Sequence, residues 1–99
     1  MKPHSFHPEA EAEFLEALAR YAAESEQLGR RYSEAIHGLI ADVCRSPKVY
    51  PCLGKEVRRH FGKPFPYALI YAEEPQSVLV LAVAHFKRRP GYWLHRLKR

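Results

Sequence analysis

Apolar residues recur at intervals of three and four in two stretches of the N-terminal half, and at intervals of two or in unbroken runs beyond it. The first stretch places Ala10, Phe14, Ala17, Leu18, Tyr21 and Ala22 on one stripe and Glu13, Glu16, Arg20 and Glu24 on the other side. That period predicts an amphipathic helix over 9–24. Pro8 suits its first turn, where an N–H would lack a partner anyway, and Glu9 and Glu11 sit at the positive end of the helix dipole. After a break at 25–27, Leu28, Tyr32, Ala35, Ile36, Leu39, Ile40 and Val43 form a second stripe. Pro47 cannot continue that helix and biases Ser46 away from helical angles, so it ends near Arg45. Two helices so closely joined form an antiparallel hairpin, and their shared apolar stripe must be buried against something else.

The segment 47–55, with Pro51 and Gly54, reads as a loop. Strands are predicted beyond it at Val57 to Phe61, Tyr67 to Ala72 and Ser77 to Phe86, where β-branched, aromatic and leucine residues concentrate. Glu73, Glu74, Pro75 and Gln76 supply the turn of a hairpin between the last two. The run from Val78 to Val83 is apolar on both faces and belongs inside the sheet. A short strand over Lys2 to Phe6 pairs at one side. The predicted fold class is α+β: an N-terminal helical hairpin packed on a small, mainly antiparallel sheet of three to four strands, in one domain over 1–99.

Hydrophobic residues at 46% and charged residues at 27% lie near the globular average, which excludes a disordered chain. Met1 to Pro8 is polar, and the longest apolar run, Val78 to Ala84, is too short to span a bilayer. A cytoplasmic protein with no membrane partner is expected. Cys44 and Cys52 are expected as free thiols, since no histidines stand at ligand spacing beside them. His4 and His7 lack a third ligand, so neither a metal nor a cofactor is expected.

Charge adds an asymmetry. Residues 1–46 carry five basic and eight acidic side chains, whereas 47–99 carry eleven basic and three acidic. The C-terminal half therefore suits a negative partner, nucleic acid or acidic protein, or else a solvated surface. A basic tail over 87–99, with six basic residues and no acid, also holds Tyr92 and Trp93. Arginine beside tyrosine or tryptophan is a frequent hot-spot composition at interfaces. Lys87, Arg88, Arg89, Tyr92, Trp93 and Arg96 are the candidate target-binding residues, with Trp93 equally suited to closing the core over the sheet.

Phe65, Pro66, Tyr67, Leu69, Ile70 and Tyr71, followed by Ala82, Val83, His85, Arg88, Pro90, Tyr92 and Trp93, resemble the ParE branch of the RelE/ParE toxin superfamily. His7, Pro8, Ala10 and Glu13, then Leu28, Gly29 and Tyr32, then Pro47, Tyr50 and Pro51 follow in that family's order and spacing, so the resemblance spans nearly the whole chain. It implies a type II toxin neutralised by a cognate antitoxin that wraps the helical hairpin and sheet edges. ParE-like members are associated with inhibition of DNA gyrase, whereas RelE-like members cut messenger RNA on the ribosome.

A metal-free ribonuclease needs convergent basic groups and a general acid or base. RelE-like nucleases carry arginines where this chain has Ala68 and Phe86, although Tyr92 matches an active-site tyrosine of that branch. The departures argue against cleavage. Should the chain be a nuclease instead, His85, Arg88, Tyr92 and Arg59 are the catalytic candidates. Alternation along a strand sends Arg58 and Arg59 to opposite faces, so they cannot both serve one site. His85 at a strand end more often holds a structural hydrogen bond, and Tyr21, Tyr32, Tyr67 and Tyr71 read as core aromatics. A nucleic-acid-binding module without toxin activity ranks last, because no recognition helix or paired stacking aromatics support it.

Overall fold

The computed structural model describes residues 1–97; Lys98 and Arg99 of the basic tail lie outside the described residues. The chain runs β1 (His4–Phe6), α1 (Pro8–Glu24), α2 (Glu26–Arg45), β2 (Cys52–Gly54), β3 (Val57–Phe61), β4 (Tyr67–Glu73) and β5 (Val78–His85), and closes in a 3-10 turn over Leu94–Leu97. The sheet has five strands in the order β1-β5-β4-β3-β2. β1 lies parallel to β5, and the other pairs are antiparallel.

Local chemistry sets the hairpin. His7 Nδ1 accepts the Glu9 N–H at 3.1 Å, capping α1 where Pro8 enters it. The break between the helices shrinks to one residue: the Ser25 N–H bonds to the Tyr21 carbonyl, while its Oγ accepts the Leu28 N–H at 2.9 Å. A single serine thus ends one helix and begins the next. The pair packs closely because Gly29 has no side chain; a Cβ there would stand 2.9 Å from the Ala22 Cβ.

The sheet has more strands than its apolar pattern predicted. The loop expected over 47–55 contains β2, all three residues of which are exposed. Its three residues are too few to show a period, and positive φ at Gly54, Lys55 and Glu56 turns the chain back tightly into β3. Lys2 to Phe6 contributes β1 as expected. β5 lies between β1 and β4, and it is apolar on both faces because the helices cover one and the C-terminal segment the other.

Both faces of the sheet are covered. On one, α1 and α2 bury Phe14, Tyr32, Ile36 and Val43 against Leu69, Tyr71, Val78 and Val80. On the other, the C-terminal segment lays Trp93 over Val57, Ala68, Ile70, Leu81, Ala82 and Ala84. Each large side chain so buried contributes roughly 1.5–3 kcal/mol. Register shifts along the β4 and β5 pair, from Ile70 opposite Ala82 to Tyr71 opposite Val80. Leu81 is the extra residue, and this bulge lets consecutive Leu81 and Ala82 both join the second core. Among the described residues, no helix is long and apolar enough to cross a membrane.

Candidate functional site

β1 ends at Phe6, opposite Val80, so further along this edge β5 has no strand to pair with. Two charged side chains take its place. The Val83 N–H donates to Glu13 Oε1 at 3.0 Å, and Arg96 Nη1 donates to the Leu81 carbonyl at 2.9 Å. Arg96 also pairs with Glu13, Nη2 to Oε2 at 2.9 Å and Nη1 to Oε1 at 3.1 Å. The ion pair clasps α1, on one face of the sheet, to the C-terminal segment on the other. Burial opposes the charge on Arg96, but the hydrogen bond and charge of Glu13 outweigh it and the net shift is upward.

The clasp extends to Tyr92, whose hydroxyl donates to Glu13 Oε2 at 2.8 Å. Burial first, and then this bond to a carboxylate, hold the Tyr92 phenol well above the usual tyrosine range. The Arg88 guanidinium lies 3.7 Å above the Tyr92 ring and 3.9 Å from Glu13. A single carboxylate thereby orders three side chains of the last dozen residues.

Beside this platform a cleft of about 470 Å³ opens between β3, β4 and the C-terminal segment. Ala68, Ile70 and Ala84 line it together with Arg59, Arg88, Arg89, Phe61, Phe86 and Trp93, and among the described residues no carboxylate does. Phe61 is 55% exposed and Phe86 50%, and their rings meet edge to face at 5.5 Å. The Arg59 guanidinium covers the Phe61 ring at 4.4 Å. Arg58 donates instead to the Tyr50 carbonyl at 2.8 Å and, as the alternation required, does not line this cleft.

The four residues named as nuclease candidates, Arg59, His85, Arg88 and Tyr92, all border this one cleft. Two are committed elsewhere. The His85 ring stands edge-on to Tyr67 at 5.2 Å, a residue of the helix-side core, and its Nδ1 accepts the Lys87 N–H at 3.1 Å. Tyr92 is tied to Glu13.

Of the target-binding candidates, Arg88, Arg89 and Tyr92 line the cleft with Trp93, while Lys87 is exposed outside it. Of the two roles open to Trp93, the structure shows core closure: it is 7% exposed and covers the apolar face left by Leu81, Ala82 and Ile70. Arg96 needs correction: its side chain is 4% exposed and spent on Glu13, so it is no free cation of a solvated tail. Glu13 is a second correction: it sits at a polar position of the α1 pattern yet is 15% exposed, because the unpaired edge of β5 lies against it. The rim contributed by Leu53 and Phe61 was also missed, since neither stands in a motif.

Cys44 is buried and Cys52 exposed, both as free thiols, and burial raises the Cys44 thiol. Among the described residues, no group of three histidine, cysteine or acidic side chains is placed to hold a metal ion.

Comparison with known proteins gives this arrangement a family. The family model described as the ParE toxin of the type II toxin-antitoxin system, parDE, matches residues 5–90. Toxin ParE2 of Mycobacterium tuberculosis, in strains CDC 1551 / Oshkosh and H37Rv, is 27% identical over 86 residues, covering 86% of this chain and 82% of the relative. The chain belongs to the ParE toxin family and is a type II toxin of ParE type, which implies a cognate antitoxin as partner.

Proposed function

We propose that this ParE-type toxin inhibits DNA gyrase by binding it, and that the cleft beside the C-terminal segment is the contact surface. One observation carries the reading: the cleft gathers three arginines around an apolar floor, with no carboxylate among the described residues that line it. A phosphodiester-cleaving site needs a group that exchanges a proton near neutral pH. Tyr92 holds its proton far above that range, and the Nδ1 of His85 is occupied by the Lys87 N–H. Ala68 on the floor and Phe86 at the rim stand where the resemblance implies arginines in RelE-like nucleases. Binding asks less: charge to steer the encounter and an apolar patch to hold it.

On this reading Arg88 and Arg89 carry the electrostatic contact, Lys87 adds charge outside the cleft, and Tyr92, Trp93 and Arg96 hold the platform in place. The protein acts as one toxin domain in the cytoplasm. A supercoiling assay with purified gyrase tests the proposal: inhibition rising with toxin and abolished by the antitoxin is expected, and unchanged supercoiling at saturating toxin rejects it. The second reading, cleavage of ribosome-bound messenger RNA, draws on the convergence of Arg59 and Arg88 in one cleft. New transcript ends in the ribosomal A site on adding toxin would establish it in place of the first.

A further inference from the structure

We infer that the cleft takes an extended acidic segment of the protein target, with one large apolar side chain on the floor and carboxylates on the arginines around it. This rests on the cleft being the target-binding surface.

Sign is the first argument. Arg59, Arg88 and Arg89 line the cleft with no carboxylate among them. Among the described residues Arg59 and Arg89 have no ion-pair partner, and the nearest acid to Arg88 is Glu13 at 3.9 Å, already shared with Arg96 and Tyr92. Arg59 Nε is moreover shut from solvent without a hydrogen-bond acceptor. Uncommitted guanidinium groups favour planar, bidentate acceptors such as carboxylates.

Shape is the second. Ala68, Ile70 and Ala84 are small or aliphatic, and exposed Leu53, Phe61, Phe86 and Leu94 stand about them, an apolar patch of the kind that marks a protein contact. A nucleic-acid strand asks for something else, a cationic line along its backbone and open ring faces for its bases. Here the arginines are divided between β3 and the segment after β5, with the apolar floor between them. Phe61 has one face under Arg59 and meets Phe86 edge to face, so the pair makes no slot for a base.

The test is fluorescence anisotropy with the full chain and a labelled peptide in which a central phenylalanine is flanked by glutamates. The peptide should bind saturably and weaken with salt. Changing its phenylalanine to alanine, its glutamates to glutamines, or the toxin by Arg89→Ala or Phe86→Ala should each cost about ten-fold in affinity, the loss of one charged or apolar contact. Arg30→Ala, an exposed cation on α2, should change nothing. Absence of saturation, an equal loss in Arg30→Ala, or displacement of the peptide by a single-stranded oligonucleotide that binds more tightly would each overturn the inference. Gyrase is not in the assay, so the two readings fail separately. A toxin that binds the peptide but leaves supercoiling unchanged removes gyrase as the target and keeps the docking chemistry; one that inhibits gyrase without binding the peptide removes the docking chemistry alone.

Discussion

Glu13 of α1 and Arg96 of the closing 3-10 turn, 83 positions apart, meet through paired hydrogen bonds at the unpaired edge of β5. Each also bonds to the backbone of β5, so the contact completes the edge of the sheet as well as joining the layers on its two faces.

Removing either partner leaves the other charge with only its longer contacts, Arg88 at 3.9 Å from Glu13 or Glu9 at 3.5 Å from Arg96, and Arg96→Ala or Glu13→Gln is expected to cost about 2 kcal/mol. The double change Glu13→Gln with Arg96→Met should recover part of that loss, since no charge is then stranded. Urea unfolding of the single and double variants measures this; additive losses would show that the two side chains act independently.

The C-terminal segment should loosen before the rest. In Arg96→Ala, backbone amides of 88–97 are expected to exchange hydrogen faster, while those of β4 stay protected. Uniform acceleration across both would mean that the segment and sheet unfold as one unit.

Two glycines of α2 predict opposite outcomes. Gly29→Ala drives a methyl to 2.9 Å from the Ala22 Cβ, overpacking the helix contact by about 1–3 kcal/mol. Gly38 has nothing within 4 Å of an added Cβ, and Gly38→Ala should stabilise by about 0.5–1 kcal/mol through helix propensity alone. Melting temperatures that shift in the same direction would contradict the packing argument.

Alkaline pH should unfold the protein. Burial first, with neighbouring charges, raises the phenols of Tyr21, Tyr32, Tyr71 and Tyr92, that of Tyr71 to about 12. A folded pKa above the unfolded value near 10 leaves stability constant below pH 10 and lowers it as pH climbs from there. Absorbance at tyrosinate wavelengths should rise late and together with loss of helix; full tyrosine titration near pH 10 in a folded chain would refute this.

On the acid side the sign reverses. Hydrogen bonds from Lys2 and Lys48 lower Glu73, and a hydrogen bond with His95 lowers Glu9. Folded pKa values below the unfolded one contribute stability above about pH 4.5, which is lost as pH falls. Glu73→Gln should flatten the acid limb of a stability-against-pH curve; an unchanged limb would assign it to other carboxylates.

How far could the chain alone be read? Helical stripes, the turn at 73–76 and the unbroken apolar run of β5 were legible because each is a local pattern with its own period. The family resemblance was legible too, because aromatics and prolines fall along the chain in the order that family shows. β2 escaped because three exposed residues have no period. The Glu13–Arg96 pair escaped because Glu13 fell on the polar side of the α1 stripe and Arg96 lay in a basic tail that read as a target contact.

Periodicity records which face of an element is buried, and that was enough to establish a helical hairpin on a mainly antiparallel sheet. It does not record what lies against a polar position. Only the tertiary structure decided that Trp93 covers the second face of the sheet, that β5 runs past the end of β1, and that Glu13 and Arg96 fill the resulting edge. Those outcomes depend on contacts between distant segments, where the need to satisfy buried backbone groups overrides the preference of a charged side chain for water.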